Sequence, residues 1–141
     1  MKVINTLVLS GGGIKGITYC GVFKKLKELQ ELQENCDVKI DIKEIMAVSV
    51  GTIFGLVYIL NYSYEELYQE IMEKNFMDFT NNKVSTFIKG YGLNSGKNII
   101  NWVESLLIRK GYSKNITFSE LYKRTNIHYK IMVTNLNKHK L

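Results

Sequence analysis

The stretch Ile45-Met46-Ala47-Val48-Ser49-Val50-Gly51-Thr52 constrains this chain more than any other. An apolar run leads into Ser49, small residues stand two places to either side, and a second apolar run follows. That pattern is a strand, a very tight turn and a helix. A serine at the tip of such a turn is pushed into the open on a strained backbone. Ala47 and Gly51 have to be small so that strand and helix can pass close together. The arrangement is a nucleophile elbow, G-x-S-x-G, with Ala47 in place of the first glycine. The plain alternative makes Ser49 an ordinary N-cap of the helix that follows.

A second feature favours the elbow. Thr6-Leu7-Val8-Leu9-Ser10 reads as the end of a buried strand, and it runs into Gly11-Gly12-Gly13-Ile14-Lys15-Gly16 and then a helix. Acyl transfer through a serine needs donors aimed at the oxygen that becomes negative in the tetrahedral intermediate. Glycines let backbone N–H groups turn outward and let a substrate approach the main chain. A helix N-terminus adds unpaired N–H groups and a favourable dipole.

Gly-Gly-Gly-Ile-Lys-Gly followed by the elbow serine in Ala-Val-Ser-Val-Gly resembles the patatin-like phospholipase family. The resemblance runs through the chain, including Ile116-Thr117-Phe118-Ser119-Glu120-Leu121 and the strand after it. It implies an α/β fold, a three-layer α/β/α sandwich, as one domain over residues 1–141. It implies hydrolysis of lipid acyl esters, with Ser49 as the nucleophile of a Ser–Asp dyad. Gly11, Gly12, Gly13 and Gly16 would form the oxyanion hole, and lipid or phospholipid at a membrane surface would be the partner. No metal or cofactor is implied. The family's base is an aspartate in Asp-Gly-Gly or Asp-Gly-Ala, far downstream of the serine. Here the aspartates are Asp37, Asp41 and Asp78, and none precedes glycine. The resemblance therefore carries over no base. The chain is expected to be an N-terminal, truncated portion of such a domain, with little activity of its own because the hydroxyl lacks its activator.

Composition adds bounds. A chain of 141 residues makes one domain with a real core. Hydrophobic residues at 45% and a mean hydropathy near zero (−0.08) fit a globular chain. The net charge of +6 fits a solvated surface, with attraction to anionic lipid or to phosphate as the functional alternative. No basic cluster is longer than Lys24-Lys25, which favours the solvated surface, and no nucleic-acid partner is expected. Cys20 is expected in the core, and Cys36 gives no metal spacing with it. Met1–Leu9 is a first strand rather than a signal peptide, since Asn5 and Thr6 break its apolar run. Ile45–Leu60 is too short and too interrupted for a span of about 20 residues. An intracellular location, soluble or peripheral to membranes, is the expectation.

In order, the pattern predicts a strand over Lys2–Ser10 and a helix over Ile14–Glu34. A short extended segment over Val38–Ile42 precedes a strand over Glu44–Val48. A helix covers Val50–Asn61, and Ser63-Tyr64-Glu65-Glu66 is a capping box that starts another, through about Asn75. Phe76–Leu93 is irregular. Ser95–Lys110 is a helix stopped by Gly111, Thr117–Arg124 a short helix, and His128–Asn135 a strand.

Rival readings remain open at this point. Gly11-x-Gly13-x-x-Gly16 also satisfies the dinucleotide fingerprint of a Rossmann-like domain, with Asp41 as the ribose acid. Ser95-Gly96-Lys97-Asn98 fails as a P-loop, because Tyr91 stands where the first glycine belongs. His128 or His139 as triad base lacks a recognisable context. A non-catalytic remnant that binds lipid or a partner would use Tyr58, Tyr62, Tyr64, Tyr68, Phe76 and Phe79, residues whose helical spacing also suits a core.

Overall fold

The computed structural model describes residues 2–32, 37–73, 96–135 and 137. Its elements are β1 (Lys2–Leu9), a 3₁₀ turn (Gly13–Thr18), α1 (Tyr19–Glu31), β2 (Val38–Val48) and α2 (Val50–Ile59). α3 (Tyr64–Met72), α4 (Lys97–Arg109), α5 (Phe118–Thr125) and β3 (His128–Met132) complete them. The expected irregular segment Phe76–Leu93 and the end of the expected helix near Asn75 lie outside the described residues, as do Cys36, Asp78 and His139.

The three strands form a parallel sheet in the order β1-β2-β3. At the C-terminal ends Leu9 lies opposite Ala47, and Ala47 opposite Ile131. Val38–Val48 is one strand of 11 residues rather than a linking segment followed by a short strand. The reason is a bulge. Ile4 pairs with Ile40 and Thr6 with Glu44, so Asn5 alone faces Asp41, Ile42 and Lys43. Burial marks Ile40 and Ile42, then Ile45 and Ala47, so the alternation skips a step there and the sequence reads as two pieces.

A strand order that runs one way, with right-handed crossovers, puts successive helices on one face of the sheet. The core agrees. Ile45 from β2, Val57 from α2 and Leu106 from α4 are its most deeply buried large side chains, and one cluster joins Leu9, Phe54, Leu67, Trp102 and Leu121 to them. The opposite face, at its C-terminal end, leaves Val8 74% exposed, with Val48 and Met132 also open. The described residues thus hold a mixed α/β arrangement of helices packed on a parallel sheet.

Local signals explain most helix ends. Ser63 and Glu66 form the expected capping box, and Thr117 with Glu120 forms a second one at α5. Gly111 takes φ 73 just beyond α4, where only glycine is unstrained. The first helix differs from expectation: it opens as 3₁₀ turns over Gly13–Thr18 and becomes α-helical only at Tyr19. A helix that begins on three glycines has little propensity to nucleate there, and the tighter turn is what forms. Cys20 is buried in the core as expected, and burial raises the pKa of its thiol.

Candidate active site

Ser49 sits between β2 and α2 with φ 53 and ψ −131. For a residue with a Cβ, such a conformation costs about 1–3 kcal/mol and persists only where the surroundings impose it. The surroundings are specific. Ala47 is buried at 2% exposure. A Cβ placed on Gly51 would meet the carbonyl oxygens of Leu9 and Ser10 at 2.5 and 2.7 Å, so α2 runs directly against the end of β1. The Ser49 carbonyl accepts from the Thr52 N–H at 2.9 Å and from Thr52 Oγ1 at 2.6 Å. Its side chain makes no capping bond to α2 and stands exposed. Ser49 is thus the N-cap residue of α2 by position, without the side-chain bond that an ordinary N-cap serine supplies.

Register brings the glycine loop to it. Leu9 pairs with Ala47, and Gly11 and Ser49 lie two residues beyond each. A Cβ on Gly11 would stand 3.1 Å from Ser49 Cβ and 3.6 Å from Ser49 Oγ. Gly12 and Gly13 follow in the open, and the Lys15 N–H closes the turn on the Gly12 carbonyl at 3.1 Å. Gly16 differs from the other three: it is buried, and a Cβ there would meet both Val50 methyls at 2.9 Å. It lets the loop lie on the first turn of α2.

Two tyrosines that the sequence did not single out for the site hold this geometry. The Tyr19 hydroxyl donates to the Ser10 carbonyl at 3.0 Å and lies 3.1 Å from Ser10 Oγ, which ties α1 to the loop entry. Tyr129 of β3 fits a notch at Gly55, where a Cβ would meet its ring at 3.0 Å, and its hydroxyl donates to the Thr52 carbonyl. Burial drives the pKa of that phenol far up. A glycine inside an apolar helix was the available signal for such a close approach.

Other candidates are not brought together with Ser49. Asp41 precedes it by eight residues, roughly 26 Å of extended strand. It is bound to Lys43 at 2.9 Å, and that hydrogen bond holds its carboxyl below the usual range. The dinucleotide reading needs an acid at the C-terminal end of β2, and Asp41 is not there. The backbone carbonyl of Asp37 accepts from the Lys2 N–H at the far edge of the sheet. His128 pairs with Glu44 in register and stacks on Tyr122 at 4.2 Å, well before the level of Ser49. The tyrosines of the remnant reading are largely committed to structure: Tyr62 donates to the Leu106 carbonyl at 2.8 Å and Tyr64 stacks on Tyr68 at 5.9 Å. Phe76 and Phe79 lie outside the described residues. Among the described residues no group of three or more His, Cys, Asp or Glu side chains converges to hold a metal ion, and no helix is long and apolar enough to cross a membrane.

An exposed serine on a strained turn between a parallel strand and a helix, beside a glycine loop from the next strand, defines a mixed α/β protein of the elbow type. The family model for patatin-like phospholipase matches residues 7–139, and the chain belongs to that family. It is similar to a probable lipid hydrolase of Invertebrate iridescent virus 6, at 28% identity over 97% of this chain and 45% of that protein. It is also similar, at 28% identity, to an uncharacterized protein of Acanthamoeba polyphaga mimivirus, over 95% of this chain and 43% of that protein. The chain thus spans less than half the length of these curated relatives. No solved structure matches it.

Proposed function

We propose that the chain carries the nucleophile and oxyanion half of a lipid acyl-ester hydrolase. The observation that carries the reading is the conformation of Ser49, strained and exposed, with Gly11 against its side chain. Ser49 Oγ attacks the ester carbonyl, and its proton passes to a base. Backbone N–H groups of the Gly11–Gly13 loop receive the oxyanion, while Gly16 holds that loop on α2. The leaving alcohol takes the proton as the acyl-enzyme forms, and water then releases the fatty acid. The family's Asp-Gly motif is absent from these 141 residues, so the base is proposed to come from outside them.

A lipid surface is the proposed partner. Ile14 is 70% exposed, Ile17 is also open, and Lys15 stands between them one turn beyond the glycines. Two apolar side chains and a cation on the turn that follows the glycines suit the boundary of an anionic bilayer.

The test is labelling with a fluorophosphonate, followed by mass mapping. Modification at Ser49, absent in Ser49→Ala, is the expected result, slow in this chain and faster when a longer chain supplies the aspartate. Equal labelling of Ser49→Ala and the parent refutes the assignment.

A further inference from the structure

Three helices of this fold carry a serine or threonine at the N-cap position, and one of them behaves differently. An ordinary N-cap residue lies in the extended region, and its hydroxyl accepts the N–H of the second or third helical residue. Ser63, at φ −70 and ψ 162, accepts from the Glu66 N–H. Thr117, at φ −83 and ψ 159, accepts from the Glu120 N–H. Each donor is the third residue of its helix, the place that Thr52 holds in α2.

At Ser49 that N–H goes elsewhere. The Thr52 N–H donates to the Ser49 carbonyl at 2.9 Å, and Thr52 Oγ1 donates to the same carbonyl at 2.6 Å. Two donors from one residue hold the carbonyl while Ser49 stands at φ 53 and ψ −131. The other two caps lack such a neighbour: the Glu66 and Glu120 carboxylates accept from the N-cap N–H instead. Thr52 is itself anchored to the sheet, because its carbonyl accepts from the Tyr129 hydroxyl of β3.

One N–H does not serve both oxygens of Ser49. Given to the hydroxyl, it engages a lone pair of the nucleophile and lets the backbone relax into an ordinary cap. Given to the carbonyl, it leaves Oγ open and the backbone strained. We infer that the Thr52 hydroxyl is the latch between these two states and keeps Ser49 in the uncapped, exposed one. Thr52 is a positioning residue, acting through the Ser49 carbonyl. The inference rests on the proposed role of Ser49 and names the side chain that keeps that serine ready to react.

The test pairs Thr52→Val, which keeps the shape and removes the hydroxyl, with Thr52→Ser, which keeps the hydroxyl. Loss of one hydrogen bond shifts such a balance by about fivefold, and release of strain adds to it. Fluorophosphonate labelling of Ser49 in the full 141-residue chain should slow at least about fivefold in Thr52→Val and recover in Thr52→Ser. A second readout needs no reaction. In the parent, Ser49→Ala removes no cap and should leave melting unchanged. In the Thr52→Val background the serine has become a cap, and Ser49→Ala should lower melting by about 4 °C. A purely structural role for Thr52 would give no such coupling. A parent that does not label refutes the catalytic reading, and the melts still decide this one. Equal effects of Ser49→Ala in the two backgrounds overturn the inference. So does labelling of Thr52→Val at the parent rate, or a Thr52→Ser variant that behaves like Thr52→Val.

Discussion

Two glycine-to-alanine changes in helices should move stability in opposite directions, and the difference tests how the elbow is built. In a helix interior alanine is favoured over glycine by about 1 kcal/mol. At Gly21, in α1, an added Cβ meets nothing within 4 Å, so Gly21→Ala should stabilise by about that amount. At Gly51 the same Cβ would lie 2.5 Å from Leu9 O, 2.7 Å from Ser10 O and 2.9 Å from Leu9 C, where ordinary contact begins at 3.4 Å. All three atoms are backbone of β1 and its exit, so no side chain can swing aside. Moving α2 outward is resisted at Gly55, which Tyr129 and Ile45 contact, and at Val50, which lies on Gly16. Overpacking costs typically 1–3 kcal/mol, and backbone contacts this close belong at the top of that range. With the propensity gain subtracted, Gly51→Ala should destabilise by about 2 kcal/mol. At about 4 °C per kcal/mol for a chain of this size, melting should fall by about 8 °C, against a rise of about 4 °C for Gly21→Ala. Folded Gly51→Ala should also lose fluorophosphonate reactivity, since an offset of about 1 Å can cost on the order of 100-fold in rate. Thermal melts of the two variants beside the parent decide the matter. A neutral or stabilising Gly51→Ala would refute the close strand–helix passage from which the site is built.

Ser49→Gly should stabilise by about 1 kcal/mol, because relief of about 1–3 kcal/mol of strain exceeds the entropy cost of glycine in the unfolded chain, about 0.4–1 kcal/mol. Ser49→Ala keeps the strain and should not stabilise; equal urea midpoints for Gly and Ala would contradict this. Burial raises the phenol pKa values of Tyr58, Tyr62 and Tyr129 above the ordinary value near 10. The native state thus keeps protons that the unfolded chain releases, and stability should be fully present below about pH 10 and fall above it. Urea melts from pH 8 to 11 should show a shallower decline in Tyr129→Phe than in the parent. Glu70, buried in α3, accepts from Trp102 Nε1 at 2.9 Å and pairs with Arg109. Glu70→Ala should cost about 2 kcal/mol by removing the buried carboxylate that accepts from the indole and pairs with Arg109, seen as a lower urea midpoint and changed tryptophan fluorescence.

Local signals made part of this architecture legible. Ser63 with Glu66 and Gly111 mark helix ends through bonds and backbone angles set within a few residues. The spacing of Ala47, Ser49 and Gly51 announces a close passage, though not what passes: Leu9 and Ser10 are the end of β1 and its exit, about forty residues earlier. β2 reads as two pieces because the bulge at Asp41–Lys43 breaks the alternation that marks a strand. Tyr129 is hidden because the notch that receives it lies on α2, an element distant in sequence, and only Gly55, small where a helix needs no small residue, hints at it.

The backbone itself separates what the fold requires from what it does not. Among the described residues, positive φ occurs at Gly13, Gly96, Gly111, Asn61, Asn126 and Ser49. Glycine takes such angles freely and asparagine tolerates them. Ser49 has neither excuse, and its ψ of −131 lies far from the left-handed helical well that asparagine favours. Glycine at position 49 would serve the turn better. A side chain kept there against the local preference, open to solvent and making no bond that caps the helix, is not accounted for by folding. Local rules broken without structural compensation gather at functional sites. This one falls where strand order sets a glycine loop against the serine. A carbonyl under attack by a serine needs hydrogen-bond donors close at hand. The parallel register of β1 and β2 is what brings that loop to the level of Ser49.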